Sequence, residues 1–315
     1  MTPTKPALSI EVKMTNLCNQ ECGYCANNDG AGPPEMIDWR AFNGRLEEWA
    51  GQKETSVCDL TEVRLTGGEP LLHFEGVVGI ARCCQRLGIR SGINTNGLLL
   101  DAARIRLLKA CGLEVLKISY DSLRAETYSQ VRYPIASLRP LTRTIREAVE
   151  NRFKVILRLT LAKPNRGQLV ECSREAAGLG VYKLQIKPLI RSGRAAGLDQ
   201  FLSREEIEEA LARLAESAAG GGLPVEVLCW PPAPGSPFSY KICGNINKIY
   251  VSTDLTCTIC NYIGETDQAR LGDLALTPLE VIFRRRLDES LNQSVNGCRL
   301  VRGCPNTAFF EGGAP

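Results

Sequence analysis

The feature that most constrains this chain is a rhythm: short β-branched or apolar runs alternate with amphipathic stretches through the first two thirds. Strands are expected over Leu8 to Met14, Glu62 to Leu65, Ser91 to Asn94, Val115 to Ile118, Val155 to Leu161 and Tyr182 to Ile186. Between them, Phe74 to Leu87, Asp101 to Cys111, Leu141 to Asn151 and Arg166 to Ala177 read as helices. A strand followed by a crossover helix builds a parallel sheet, so the pattern predicts about six βα units. In barrels and open α/β sheets alike, chemistry is placed at the carboxyl ends of the strands. The unusual residues of this sequence do fall in loops that follow strands.

From Ser203 the character changes. Ser203 with Glu206 forms an S-x-x-E capping box, predicting a helix to about Ala219, with GGG at 220–222 ending it. CWPPAPGSPF reads as a linker or covering loop. Asn247 to Val251 is expected as a strand, TDL as a turn and Thr256 to Cys260 as the return of a hairpin. A last helix is expected from Thr277, with Pro278 at its first helical position and Glu280 completing a second capping box.

A chain of 315 residues buries enough core to need no disulfide staples, so its 14 cysteines require another reason. MTPTKPALSIEVK lacks the apolar region and cleavage site of a secretory signal, and no apolar run approaches the length of a membrane span. The expectation is a soluble cytoplasmic protein with no membrane partner, whose reduced thiols serve metal or redox chemistry. Thirty-eight basic and 35 acidic residues give +3 without long runs of one sign, so nucleic acid is not an expected partner. The single histidine, His73, excludes sites built from two imidazoles and reads as a helix-start residue packed beside Leu72 and Phe74.

Three cysteines, Cys18, Cys22 and Cys25, stand in CNQECGYC directly after the first expected strand. A structural zinc site wants four ligands. Three thiolates in a tight loop suit three corners of a cubane iron-sulfur cluster, leaving one iron open. CNQECGYC, with Tyr24 before its last cysteine, resembles the signature of radical S-adenosylmethionine (SAM) enzymes, in which the open iron chelates the amino and carboxylate groups of SAM. TGGEP, at 66–70, resembles the GGEP motif of that family, which assigns Gly67, Gly68 and Glu69 to the methionyl ammonium. An ordinary Gly/Pro turn is the alternative. INTNG at 93–97 and KISYDS at 117–122 resemble the next two strand-end motifs. They carry over Asn96, and Ser119 with Asp121 toward the ribose or carboxylate of SAM, although polar residues at strand ends also serve as turn formers.

Arg158, in VILRLTLAKPN, sits within an otherwise apolar strand. A buried guanidinium needs an anion, and the resemblance implies the SAM carboxylate; a solvated strand edge is the alternative. IKPLIRSGRA, 186–195, resembles the last barrel strand of the branch that carries extra clusters, with Leu189 touching adenine. The resemblance runs from Leu8 to about Ala195. It implies an α/β fold with a partial (β/α)6 TIM-like barrel over residues 1–200, a helix and linker over 201–240, and a small cysteine-rich hairpin-plus-helix domain over 241–315.

Cys243, Cys257, Cys260, Cys298 and Cys304 form a second group, similar to the twitch or SPASM appendage that holds auxiliary 4Fe-4S clusters. The full SPASM set is absent, so one auxiliary cluster is expected, on Cys243, Cys257, Cys298 and Cys304. Cys260 is then either a substitute ligand or a free thiol beside the active site. Zinc held by four of these cysteines stays open as the alternative. Cys58, Cys83, Cys84, Cys111, Cys172 and Cys229 read as small apolar core residues, with a redox-active thiol as the alternative for Cys172 and Cys229.

The resemblance implies that a reduced cluster, fed by a flavodoxin- or ferredoxin-type donor, cleaves SAM to a 5′-deoxyadenosyl radical that takes hydrogen from a substrate carbon. The substrate radical then ends in epimerisation, with Cys260 as candidate hydrogen donor, in dehydrogenation, or in peptide modification. The barrel begins almost at the N-terminus, with no winged-helix leader-peptide domain ahead of it, which favours a small molecule. The architecture is similar to aminoglycoside and aminocyclitol epimerases and dehydrogenases, the neomycin-type epimerases among them. Epimerisation at a sugar carbon of a glycoside or aminocyclitol is therefore the expectation. A scaffold or accessory binding protein with a zinc-ribbon module is the reading from another class.

Overall fold

The computed structural model describes residues 5–25, 33–132, 137–217, 222–241, 247–261 and 269–288. Its elements are β1 (Ala7–Lys13), α1 (Trp39–Ala50), β2 (Asp59–Thr66), α2 (Phe74–Leu87), β3 (Arg90–Thr95), α3 (Ala102–Ala110), β4 (Leu113–Ser119), α4 (Ala125–Val131), α5 (Arg139–Glu150), β5 (Lys154–Leu161), α6 (Leu169–Gly178), β6 (Lys183–Pro188), α7 (Arg204–Ser217), β7 (Val225–Leu228), β8 (Ser239–Lys241), β9 (Lys248–Val251), β10 (Thr256–Thr258), β11 (Arg270–Asp273) and α8 (Leu279–Leu287). All described strands join one sheet in the order β11-β10-β9-β1-β2-β3-β4-β5-β6-β7-β8. Pairing from β9 through β1 to β8 is parallel, and only the β9-β10-β11 end is antiparallel. The fold is thus α/β around a central parallel sheet, as the rhythm of the sequence predicts.

Alternation along each strand separates two chemically different faces. Ile10 and Val12, Val63 and Leu65, Leu116 and Ile118, and Leu184 and Ile186 are fully buried in the apolar core beneath the helices. The alternate positions are Glu11, Arg64, Asn94, Lys117, Arg158 and Gln185. That inner face is polar, which is unusual for a parallel sheet covered on both sides. It encloses the cavity described below.

Helix ends follow local chemistry. Asp38 caps α1 by accepting from the amides of Arg40 and Ala41, and Asp101 caps α3 through Arg104. The expected Ser203–Glu206 box is reciprocal: the Ser203 amide donates to the Glu206 carboxylate at 2.8 Å, and the Glu206 amide to Ser203 Oγ at 3.2 Å. α7 is described to Ser217, and residues 218–221, where its end is expected, lie outside the described residues. His73 closes a 3-10 turn, Pro70–His73, leading into α2, with Nε2 3.2 Å from the Ile37 carbonyl.

One expectation is corrected. The box at Thr277 does not form: α8 starts at Leu279 without a side-chain cap, because Glu280 instead accepts from Ser56 Oγ at 2.6 Å and from the Val57 amide at 3.2 Å. Trp49 Nε1 donates to the same Ser56 hydroxyl, and Trp49 meets Phe283 edge-on at 6.1 Å, so α1, α8 and the approach to β2 are tied together. The segment read as a covering loop runs between two further parallel strands, β7 and β8. The C-terminal hairpin joins the main sheet, β9 pairing with β1 from Ser9↔Lys248 to Val12↔Val251. Among the described residues, no helix is long and apolar enough to cross a membrane.

Glu280→Ala removes the acceptor of a Val57 amide near the core. Urea unfolding should show a loss of about 1–3 kcal/mol, with Glu280→Gln in between because an amide oxygen still accepts.

Candidate active site

The site begins where β1 hands over to the thiol loop. The Met14 amide donates to the Thr66 carbonyl at 2.8 Å, Gly68 to Thr15 at 2.8 Å and Glu69 to Leu17 at 2.7 Å. Two loop backbones therefore run in contact across the ends of β1 and β2. Gly67 has a φ of +136°, and a Cβ there would lie 2.5 Å from the Thr15 carbonyl oxygen; at Gly68 it would lie 2.0 Å from that of Leu17. Only glycine fits at either place. The glycines thus have a structural job, seating the thiol loop, beside any contact with a ligand.

A cavity of about 220 Å3 opens at these strand ends. Cys18, Cys22, Tyr24 and Cys25 line it, as do Gly67, Gly68, Asn96, Ser119, Arg158 and Leu189. Two expected residues, Glu69 and Asp121, lie behind its wall with their carboxylates engaged by protein. Glu69 is fully buried and accepts from the amides of Leu71 at 3.1 Å and Asn96 at 2.8 Å and from Thr95 Oγ1 at 2.7 Å. Burial raises its carboxyl above the usual range, against the pull of these three donors. Asn96 in turn reaches the thiol loop, its Nδ2 donating to Asn19 Oδ1 at 2.7 Å.

Asp121, also fully buried, accepts from the Tyr24 hydroxyl, from Arg132 Nε and from the Thr160 amide. Tyr24 lies between Cys22 and Cys25, so this carboxylate anchors the far end of the loop. The Gly23 amide donates to the Arg132 carbonyl and the Arg194 amide to the Cys25 carbonyl, tying the loop also to the end of α4 and the segment after β6.

Burial pushes the Cys18 thiol up to about 11, against a hydrogen bond from the Gln20 amide at 3.4 Å. Burial also raises Cys22, with the Arg132 guanidinium, 4.0 Å from its sulfur, pulling it back. Gln20 Nε2 is a buried donor in this loop with no partner among the described residues. Soft thiols, cationic neighbours and a spare donor fit an anionic iron-sulfur cluster. Among the described residues no three His, Cys, Asp or Glu side chains converge as a single metal ion requires; a cubane takes its thiolates at separate corners.

Of the second cysteine group, Cys243, Cys298 and Cys304 lie outside the described residues. Cys257, on β10, is fully buried with Sγ 3.8 Å from the Leu255 carbonyl, and burial raises its thiol above the ordinary range. Cys260 is buried and immediately precedes Asn261, which lines the cavity. Arg132 and Asn165 were not visible as site residues in the sequence. Asn165 is fully buried and donates to the Asp121 and Thr160 carbonyls at 2.9 and 2.8 Å, and its place in LAKPN is the one local hint.

Asp121→Asn should leave the buried Arg132 guanidinium without its counter-charge. Removing one member of such a pair costs about 3–5 kcal/mol, to be read by urea unfolding of the cluster-free chain. Iron content after reconstitution should fall as Tyr24 loses its anchor.

Comparison with known proteins follows the same lines. The Radical SAM superfamily model matches residues 12–174, just over half of the chain. GTP 3',8-cyclase of Alkaliphilus metalliredigens (strain QYMF) is 28% identical over 261 residues, covering 78% of this chain and 78% of that protein. Streptococcus suis SuiB bound to the precursor peptide SuiA superposes with a TM-score of 0.72 at 12% identity, over 98% of this chain and 72% of that one. Native anSMEcpe with bound AdoMet gives a TM-score of 0.71 at 14% identity, over 98% and 89%. These two likenesses bear on the fold. With the matched family segment spanning the thiol loop and β2 to β5, the chain belongs to the Radical SAM superfamily.

Proposed function

We propose that this enzyme removes a hydrogen atom from a C–H carbon of a small molecule held in the barrel cavity, and that the substrate radical then adds to an unsaturated carbon of the same molecule, closing a ring and leaving a heteroatom-centred radical that takes one electron from the reducing donor and one proton. The observation that carries the first step is that three thiols and the Ser119–Arg158 pair open onto one cavity. The cofactors of the superfamily, SAM and a 4Fe-4S cluster, are its own. Cys18, Cys22 and Cys25 would hold the cluster, which supplies the electron that cleaves SAM.

The remaining work falls to the chain. Gly67 and Gly68 bring backbone to the cavity wall, where an ammonium group finds carbonyl acceptors. Ser119 and Arg158 are direct neighbours across β4 and β5 and suit a carboxylate. The Arg158 guanidinium makes no hydrogen bond or ion pair among the described residues. Leu189 lines the cavity, backed by a buried apolar cluster of Phe201, Ala162 and Ala195 against Tyr24, and offers an apolar contact for the flat face of adenine. That cluster also keeps water from the reacting carbon.

Ring closure is favoured by the similarity to a GTP 3',8-cyclase across 78% of both chains. Epimerisation of a glycoside or aminocyclitol carbon is the second reading, supported by the nearness in sequence of Cys260 to the cavity-lining Asn261. Dehydrogenation and peptide modification are further endings of the same radical. An auxiliary 4Fe-4S cluster on Cys243, Cys257, Cys298 and Cys304, in an appendage spanning residues 241–315, and a flavodoxin- or ferredoxin-type donor complete the proposal.

Anaerobically reconstituted protein with dithionite and SAM should release 5′-deoxyadenosine, and Cys18→Ala, Cys22→Ala or Cys25→Ala should reduce it to background. Wild type without that product would overturn the proposal. Turnover in deuterated water separates the endings: ring closure gives an isomer without carbon-bound deuterium, epimerisation an isomer with one, and dehydrogenation a product lighter by two hydrogens.

A further inference from the structure

The inner face of the sheet carries charge that the SAM site does not use. On neighbouring strands, Arg64 of β2 stands opposite Glu11 of β1, Lys117 of β4 stands opposite Asn94 of β3, and Lys248 lies on β9, the other neighbour of β1; Glu11, Asn94 and Arg158 line the cavity. Two of these cations have carboxylates: Lys248 Nζ is 3.0 Å from Glu11, and Arg64 pairs with Glu62. Lys117 has neither a hydrogen bond nor an ion pair among the described residues, and Nη1 of Arg64 is buried without a partner. The next acid round the barrel, Glu226 of β7, is already shared by Lys183, Lys241 and Gln185. Among the described residues, cations therefore exceed free carboxylates on this floor. Facing the cavity, Asn94 Oδ1 and Gln185 Oε1 are buried acceptors without a donor.

An unpartnered cation under cover is costly, by several kcal/mol for an ion withdrawn from water. Lys117 shows the strain: burial first, then Arg64, Arg158 and Lys248, drive its ammonium well below the ordinary lysine range. Glu11 shows the converse, since burial alone would raise it, yet Lys248 and its other cationic neighbours draw it down to about 2. A polycationic aminoglycoside would add to this repulsion, whereas an anion would relieve it.

We propose that the barrel floor is the subsite for the phosphate of a phosphorylated, hydroxyl-bearing substrate, with Lys117 and Arg64 meeting the phosphate and Asn94 and Gln185 accepting from hydroxyls. This rests on the reading of the cavity as the hydrogen-abstraction site, and gives its substrate a chemical class. The phosphate anchors one end at the floor while the carbon to be activated lies toward the strand ends.

Acylation of Lys117 by acetic anhydride, read by peptide mass spectrometry on the reconstituted, SAM-loaded wild type, tests this directly. Inorganic pyrophosphate at ten times its dissociation constant should cut Lys117 labelling by about tenfold and leave exposed Lys53 unchanged. Kanamycin should give no protection; a nucleoside triphosphate and ribose 5-phosphate should both protect, the tighter of them identifying the source of the phosphate. Lys117→Met should weaken pyrophosphate binding about tenfold, while Arg213→Gln, on the exposed side of α7, should not. Labelling indifferent to pyrophosphate, or equal affinity in Lys117→Met, overturns the proposal. Should that variant fail to fold, protection in the wild type decides. Failure of the wild type to form 5′-deoxyadenosine would instead strike the hydrogen-abstraction reading, which pyrophosphate protection does not measure.

Discussion

The close approach of two backbones, residues 15–17 against Gly67 and Gly68, is the contact on which the rest of the site depends. It spends two short amide–carbonyl bonds, from Gly68 and Glu69, to press the thiol loop onto the end of β2. A side chain at either glycine would force the strands' ends apart and carry Cys18 with them. From there order passes along buried carboxylates. Glu69 fixes Thr95 and Asn96, and Asn96 returns to the loop at Asn19. Asp121 holds the loop's other end through Tyr24 and Arg132, so three thiols are positioned between two satisfied, buried acids. Burying a carboxylate is costly unless its acceptor sites are filled, and here they are.

A second constraint is the division of the sheet into an apolar outer and a polar inner face. The outer face supplies the core that makes the sheet stable; the inner one gives up part of that burial for charge. Such a trade is expected where a substrate must complete the electrostatics, because groups that the chain itself leaves unpaired are those that reward the right ligand. Arg158 stands directly opposite Ser119 across β4 and β5, with Glu11 and Lys117 among its charged neighbours.

The period of the hydrophobic residues made β1 through β6 and four of the helices legible, since a strand of β-branched residues bounded by turns has few other fates. α1 was harder to see: WRAFNGRLEEWA carries a central glycine and only three buried side chains, Phe42, Leu46 and Trp49. β7 and β8 are four and three residues long, and only tertiary pairing, β7 on β6 and β8 on β7, gives them form. Ser203 with Glu206 could be read because both partners are local. Thr277 with Glu280 misled because Ser56 and Val57, more than 200 residues away, offered better donors. At the site, motif residues such as Gly67 and Asp121 were legible as positions, but their packing and anchoring duties are tertiary. Arg132 carries no local mark, and Lys117 opens KISYDS without that motif giving it a role. The core reading of Cys58, Cys83, Cys84, Cys111 and Cys172 matches their burial, while Cys229 is buried with a φ of +56° that no sequence pattern announces.

The central claim is that the loop from Cys18 to Cys25 presents an iron-sulfur cluster to SAM. Electron paramagnetic resonance of the anaerobically reduced protein, recorded with and without SAM, tests it most directly. The account predicts a paramagnetic iron-sulfur component whose line shape changes on adding SAM and which disappears when these three cysteines are replaced together, leaving only the SAM-insensitive signal of the auxiliary cluster. Absence of any SAM-sensitive component, or its survival after the triple replacement, would contradict it.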